Sequence, residues 1–259
     1  MQIDKNITAV VTGGCSGLGH ATAIRLRKAG LNVAIFDMNE TVGAQRVLEL
    51  GQQHTIFCRV DVRDPEAVKA ALIHVNERFG NIRLCVNCAG VAPAKRLLDR
   101  EGEAMPLEDF QTVIEINLLG SFNVARLVAA EMAKLEPVGE ANERGVIINT
   151  ASVAGYEGQI GQTAYAASKG AIIALSLPMA RDLCKVGIRV NSIAPGIMGT
   201  PMLLAMPDKV QDGLKANVPF PDRLGHPSEF ADLALHMFEN AYINGETIRL
   251  DGALRMPPK

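Results

Sequence analysis

Short apolar runs rich in β-branched residues recur along this 259-residue chain at positions 7–11, 33–36, 55–60, 84–86, 146–149, 188–193 and 247–250. They are nearly continuous in hydrophobicity rather than alternating, and stretches with helical spacing separate them. Strands of that kind must be covered on both faces, which predicts a parallel sheet with a layer of helices on each side. Seven of them make one doubly wound α/β domain over residues 1–259. The punctuation agrees: Pro65 after Asp64 reads as a capped helix start, and Gly30 and Gly80 as helix stops. A helix predicted over 163–185 contains Pro178, which should bend it, and ends where Gly187 releases the chain. Three connections are long: 91–106, 136–145 and 196–221. The first and third follow carboxyl ends of strands, where such sheets bind ligands, so both are candidate walls of a substrate site, the third being the main candidate substrate loop. The second precedes a strand and reads as a surface excursion.

Composition narrows the partners. Hydrophobic residues make up 48% of the chain and charged residues 21%, enough for a sizeable core, and the net charge of -2 supplies no basic field for nucleic acid or an anionic membrane. No apolar run reaches the ~20 residues of a membrane span, and the first strand pattern starts at once, with no leader ahead of it. A small molecule is the expected partner. The five cysteines, Cys15, Cys58, Cys85, Cys88 and Cys184, lack a disulfide rhythm, which points to reduced thiols and a cytoplasmic location. Cys85 and Cys88 spell C-x-x-C, yet residues three apart on a strand face opposite ways and no second ligand pair follows. They read as small core residues, and no metal is expected.

Chemistry gathers first at Thr12-Gly13-Gly14-Cys15-Ser16-Gly17-Leu18-Gly19, between the first strand and the first helix. Glycines 13, 17 and 19 permit a tight turn and close backbone approach to a pyrophosphate, while the helix start offers free N–H groups at Ser16, Gly17 and Leu18. Asp37 ends the second strand, eighteen residues beyond Gly19, where a carboxylate can accept hydrogen bonds from adenosine ribose hydroxyls and repel an added phosphate. No Arg or Lys lies between Gly13 and Gly19, so NAD is expected rather than NADP. Asp61 and Val62, after the third strand, are placed to hold the adenine edge, or else form a capping turn. Cys88, Ala89 and Gly90, in the run Asn87–Gly90, are small enough to let the chain pass close to a ribose, or to make a plain turn.

The second gathering is Asn117, Ser152, Tyr165 and Lys169. Tyr165 and Lys169, four apart on a helix, share a face about one turn apart, so the ammonium can pull down the phenol's pKa. With the glycine loop, Asn87–Gly90 and Pro195-Gly196, these residues fall in the order and spacing of the classical short-chain dehydrogenase/reductase family, which the chain resembles over nearly its whole length. The resemblance implies a Rossmann-type single domain with seven parallel strands. It also implies that Tyr165 exchanges the substrate proton, with its pKa lowered by roughly two to three units from about 10 by Lys169 and the positive nicotinamide ring together. Ser152 would hydrogen-bond the same substrate oxygen, Lys169 would hold the nicotinamide ribose and Asn117 a relay water. Pro195, Gly196, Met198 and Thr200 would meet the nicotinamide, with Ile197 packing beside them, although Thr200 equally suits a cap for a helix begun by Pro201.

Within the family, the runs 144–152, 218–221, 223–225 and 244–253 look like the type 2 3-hydroxyacyl-CoA dehydrogenase group, also described as hydroxysteroid dehydrogenases. That implies a homotetramer and NAD-dependent oxidation of (S)-3-hydroxyacyl-CoA, including 2-methyl-3-hydroxybutyryl-CoA, in fatty acid metabolism and isoleucine degradation. Hydroxysteroid oxidation, 3-oxoacyl thioester reduction and a non-enzymatic nicotinamide sensor or scaffold are the competing expectations. Gln159 and Gln162 are candidates for a thioester carbonyl, and residues 202–206, which begin and end on methionine, for a flexible apolar wall. Lys95, Arg96 and Arg100 are candidates for coenzyme A phosphates. Each has an equally good reading as ordinary surface or packing residues.

Overall fold

The computed structural model describes residues 1–2, 5–205 and 207–258, without the side chains of Met202 and Val210. The expected wall at 202–206 therefore lies partly outside the described residues. Seven strands form one parallel sheet in the order β3-β2-β1-β4-β5-β6-β7. They are β1 (Thr8–Thr12), β2 (Asn32–Asp37), β3 (Thr55–Arg59), β4 (Ile82–Asn87), β5 (Gly145–Thr150), β6 (Ile188–Pro195) and β7 (Thr247–Leu250). Each lies within about two residues of its expected position, because strands buried on both faces leave an uninterrupted apolar signature.

Alternation along each strand feeds two cores. On β1, Val10 joins a cluster with Val68, Leu72 and Val75 of α3 (Pro65–Arg78) and Val124, Val128 and Met132 of α5 (Ser121–Met132). Its neighbours Ala9 and Val11 join Ala23 and Leu26 of α1 (Gly17–Lys28) and Phe230, Leu235 and Phe238 of α9 (Pro227–Glu239). Cys85 falls in the first core and Cys88 beside the second, facing opposite ways as a strand requires. Asp64 accepts from the N–H groups of Glu66 and Ala67 and starts α3. Gly30 and Gly80 take positive φ just past α1 and α3. The remaining helices over β2 and on the reaction side are α2 (Glu40–Leu50), α4 (Leu107–Ile114) and α6 (Thr163–Leu183), the last containing Pro178 and continuing as a 3₁₀ turn to Gly187.

Three findings differ from expectation. The 196–221 connection is not bare loop: it carries α7 (Pro201–Leu204) and α8 (Asp208–Lys215), started by prolines at Pro201 and near Pro207. Secondly, α4, a π-helical turn (Glu115–Gly120) and α5 run on as one helix, Leu107–Met132, long and apolar enough by composition to suit a membrane span. The apolar residues responsible are dispersed among polar ones in sequence; half of the helix's most apolar 18 residues are buried, and Val124, Val128 and Met132 pack against the sheet.

The third concerns the 136–145 segment, which is anchored rather than superficial. Glu143 is 5% exposed, and its Oε1 accepts from Arg189 Nε at 2.6 Å. The same guanidinium donates to the carbonyls of Met237, Phe238 and Ile243, and the amino group of Met1 lies 3.0 Å from Glu143 Oε2. Burial raises the Glu143 pKa, but the hydrogen bonds and charges of Arg189 and the amino group outweigh it and hold the carboxyl below its usual range. An arginine inside an apolar strand must find such a partner. Arg189→Met should therefore lower unfolding free energy by about 3–5 kcal/mol in urea denaturation, since it strands a buried carboxylate and three carbonyls. A loss below about 1 kcal/mol would show that the pair does not anchor this segment.

Candidate active site

At the switch point of the sheet, where β2 lies to one side of β1 and β4 to the other, the strand order reverses and a crevice opens beyond the carboxyl ends. Thr12 Oγ1 closes its floor by accepting the N–H groups of Cys88 and Ala89, both at 3.0 Å. The backbone above is crowded. A Cβ on Gly13, whose φ is +63°, would sit 2.9 Å from Ala89, and one on Gly19 would sit 2.3 Å from the Gly13 carbonyl. Gly13 N–H donates to the Phe36 carbonyl, and α1 then begins at Gly17 with Ser16 as N-cap and no side-chain cap bond. The first-turn N–H groups are thus left for a ligand at the positive end of the helix.

The crevice holds about 510 Å³. Gly13, Ser16, Gly17, Leu18, Gly19, Asp37, Asp61, Val62, Cys88, Ala89, Gly90 and Thr200 line it, as expected from the sequence. Asp37 Oδ2 accepts from Cys15 N–H at 3.0 Å and Oδ1 from Asn39 N–H at 3.1 Å, which sets the carboxylate at the outer end. The hydroxyl-bearing Thr200 stands across the crevice with its methyl facing Gly17. Its hydroxyl does not cap α7. Pro195, Gly196 and Met198 do not line this crevice. Pro195 closes β6, Gly196 is pressed against Asp251, and Met198 is buried in an adjoining small cavity that also includes Ile197. Their packing against β7 and 223–225, invisible locally in sequence, turns them away.

Several lining groups were not foreseen. Arg63 bridges Asp61, at 2.7 Å, and Glu115, at 3.6 Å, over the outer crevice; Asp61 Oδ1 also accepts Arg63 N–H. Hydrogen bonds from Arg63, the largest cause, hold the Asp61 carboxyl below its usual range. Arg46 approaches from α2, donating to the Cys15 carbonyl and pairing with Glu49. A cation thus stands behind the glycine loop even though the loop itself has none. Among the described residues, no group of three His, Cys, Asp or Glu side chains is placed to hold a metal.

At its inner end the crevice reaches Gly90, where an added Cβ would lie 3.1 Å from Asn117 Oδ1 and 3.7 Å from Lys169 Nζ. There the four separated residues of the sequence pattern converge. Asn117 occupies the π-helical turn, fully buried; its Oδ1 accepts Val91 N–H at 2.8 Å, and its Nδ2 donates to the Val91 carbonyl and to Ser168 Oγ. Both amide protons are thereby used, leaving one Oδ1 lone pair as the side chain's remaining capacity for a water. Ser168 donates in turn to the Tyr165 carbonyl at 2.7 Å, a link that its place inside Tyr165–Lys169 could have suggested. Ser152 Oγ caps a 3₁₀ turn (Val153–Gly155) by accepting Ala154 N–H and also hydrogen-bonds Tyr165. Lys169 Nζ donates to the Thr150 carbonyl at 2.6 Å and lies 5.8 Å from the Tyr165 ring centroid.

Without a nicotinamide charge beside it, the phenol is governed by burial. Burial raises the Tyr165 phenol above its ordinary pKa, and the Ser152 hydrogen bond offsets only part of the rise. Burial also lowers the Lys169 ammonium to about 8, the Cys88 thiol opposing weakly. Lys169 is not among the causes acting on the phenol, which burial and the Ser152 hydroxyl set between them.

Gln159 and Gln162 do not reach the crevice. Gln159 Nε2 donates to the Pro257 carbonyl, and Gln162 Oε1 accepts Gln159 N–H. Both amides tie down the loop before α6. Lys95 pairs with Asp109, and Arg96 lies with Ala94, Ile160 and Gly161 around a separate opening of about 360 Å³.

A glycine cradle at a switch point, leading inward to a hydrogen-bonded serine, tyrosine and lysine, defines a dinucleotide-dependent oxidoreductase. The family model described as short chain dehydrogenase matches residues 7–211, and the chain belongs to that family. It is 51% identical over 255 residues to 3-hydroxyacyl-CoA dehydrogenase type-2 of Bos taurus, covering 98% of this chain and 97% of the relative. Against the protein of the same name from Drosophila melanogaster the identity is also 51%, with 98% and 99% covered. The crystal structure of 3-hydroxyacyl-CoA dehydrogenase type-2 from Mycobacterium avium superposes with a TM-score of 0.94 at 46% identity, covering 98% of both chains.

The lowered Lys169 pKa has a consequence for stability. Between about 8 and the ordinary 10.5, the unfolded chain holds a lysine proton that the folded protein has released. Stability therefore rises with pH across that window and is lost as pH falls through about 8. Urea denaturation of the wild type should gain on Lys169→Met over that range; a constant difference would show that the ammonium is not penalised by burial.

Proposed function

We propose that the protein oxidises the secondary alcohol of (S)-3-hydroxyacyl-CoA thioesters, including 2-methyl-3-hydroxybutyryl-CoA, to the 3-oxoacyl thioester with NAD. The observation that carries this reading is the convergence of Ser152, Tyr165 and Lys169 at the inner end of the dinucleotide crevice. The names of the half-identical relatives support the substrate class.

The residues fit a bound NAD. The glycines at 13 and 19 let the loop fold tightly against Ala89 and itself, so that the uncapped start of α1 faces the crevice where a pyrophosphate would lie, and Asp37 presents a carboxylate to the adenosine ribose. Bound NAD supplies the hydride acceptor and, in its oxidised form, a positive charge beside the phenol. Ser152 and Tyr165 share the substrate hydroxyl, fixing the carbinol carbon toward the acceptor. Tyr165 must first give up its own proton, toward Lys169 and the water that Asn117 would hold; its phenolate oxygen would then take the substrate hydroxyl proton while the carbinol hydrogen passed with its electron pair to the bound NAD, leaving a carbonyl. Lys169 would hold the nicotinamide ribose, while the positive charge beside the phenolate would come from the oxidised nicotinamide. Asn117 and Ser168 fix the turn of α6 on which both residues sit.

Five free cysteines support a cytoplasmic setting. Leu119 and Phe122, 53% and 45% exposed, give α5 and its π turn an outer apolar surface suited to a homotetramer contact. Roles in fatty acid and isoleucine breakdown follow from the substrate class.

With a panel of (S)- and (R)-3-hydroxyacyl-CoA thioesters and hydroxysteroids, kcat/KM should be highest for an (S)-thioester with NAD. Tyr165→Phe should lower it by roughly 10²–10⁴-fold. Turnover confined to steroids would overturn the substrate reading, and an active Tyr165→Phe protein the mechanism. Asp37→Ser should narrow the NAD to NADP ratio of kcat/KM by about a hundred-fold, since it removes a like charge from the 2′-phosphate position. An unchanged ratio would show that Asp37 does not select the cofactor.

A further inference from the structure

A cluster of charge that the reaction scheme leaves unused stands beside the site. At the end of β7, Arg249 donates from Nη1 and Nη2 to the two Glu157 carboxylate oxygens at 2.8 and 2.9 Å, and from Nε to Asp251 Oδ2 at 2.8 Å. Nη2 also reaches the Leu254 carbonyl, and the guanidinium lies over the Tyr156 ring, 5.0 Å from its centroid. The Arg249 and Asp251 side chains are only 20% and 8% exposed, so these bonds are shielded more than those of an ordinary surface pair. Both faces of the planar fork are used, which a lysine could not reproduce.

The fork joins two walls of the reaction site. Glu157 belongs to the 156–162 loop, which leaves the 3₁₀ turn capped by Ser152 and enters α6 just ahead of Tyr165. That loop fits closely on α6: an added Cβ would lie 2.9 Å from the Gly170 nitrogen at Gly155, and 2.8 Å from Ala166 Cβ at Gly158. On the other side, Asp251 backs onto Gly196 at the end of β6, where an added Cβ would meet it at 2.8 Å. The segment after β7 adds three stitches to the loop. Met256 N–H approaches Glu157 Oε2, Pro257 O accepts from Gln159 Nε2, and Pro258 O accepts Ile160 N–H at 3.1 Å. Tyr156 and Ile160 are themselves 46% and 50% exposed, so hydrogen bonds rather than a core hold the outer side of this loop.

We propose that Arg249 is a positioning residue of the reaction site, locking the 156–162 loop to the β6 end so that Ser152 and Tyr165 keep their aim. The proposal rests on the reading of Ser152 and Tyr165 given above. It is tested in the full chain with Arg249→Gln, Arg249→Lys and Glu157→Gln. Arg249→Gln should reduce kcat for the best hydroxyacyl thioester about ten-fold while the KM for NAD stays within about two-fold, because misaligned reacting groups lose rate more than binding. Its isotope effect with substrate deuterated at the carbinol carbon should rise, as hydride transfer becomes slower than the other steps. Arg249→Lys should resemble Arg249→Gln more than wild type. In the ligand-free protein, amide hydrogen exchange should quicken at 156–162 and stay unchanged in β1 and β2.

Wild-type kcat and isotope effect in folded Arg249→Gln, even with a lowered Tm, would overturn the proposal and leave Arg249 a purely structural residue. If that variant does not fold, Glu157→Gln decides, since it should shift kcat and the isotope effect in the same direction; wild-type values there overturn the proposal equally. Tyr165→Phe, assayed alongside, separates the two readings. An active Tyr165→Phe protein defeats the mechanism, whereas an inactive one beside a normal Arg249→Gln protein defeats only the role of Arg249.

Discussion

The site depends on how closely the chain ends of β1 and β4 approach at the switch point. Thr12 Oγ1 holds the N–H groups of Cys88 and Ala89, and the backbone at Gly13 comes so near Ala89 that a single Cβ would collide with it. That contact fixes the floor of the crevice, and the equally tight approach of Gly19 to the Gly13 carbonyl fixes the direction of α1. A helix start with unclaimed N–H groups is then held against empty space, which is where an anion is stabilised. Gly30 and Gly80 end helices; at Gly13 and Gly19 it is the absence of a side chain that lets backbone pack on backbone.

From Gly90 inward the physics changes from space to desolvated charge. The π-helical turn of the Leu107–Met132 helix offsets its register and turns Asn117 toward Val91, pairing side chain with backbone in both directions. Gly120 in that turn lies so close to Val62 that the crevice's adenine end and its catalytic end share one support. Against this frame α6 presents Lys169 and Tyr165, whose pKa values burial moves in opposite senses, the lysine down and the phenol up. Both shifts favour uncharged groups in the resting protein. A positive charge arriving with a bound nicotinamide would then couple occupancy to proton transfer.

Much of this was legible in the chain, for identifiable reasons. Strands covered on both faces cannot alternate, so their runs stood out within a residue or two, and Asp37 could be placed at a strand end by counting from Gly19. Asn117, Ser152, Tyr165 and Lys169 lie on three separate elements, yet a known pattern of residue types in order was enough to connect them. Other features had a signal without an address. Arg189 inside an apolar strand required a partner, but nothing local said that it was Glu143, in a segment that reads as a surface excursion. Arg63 lines the crevice and Arg46 stands behind its glycine loop, and no spacing announces either approach.

The sequence by itself determined the layer architecture, the glycine cradle, the acidic residue at the β2 end and the membership of the reactive cluster, because each follows from residue type and local order. Tertiary structure alone decided which candidates face the crevice. Gln159 and Gln162 were drawn into holding a loop, Gly196 and Met198 were turned toward β7 and residues 223–225, and burial raised the Tyr165 pKa. Facing, burial and pairing depend on atoms contributed by distant segments, and a phenol's proton responds to all of them at once.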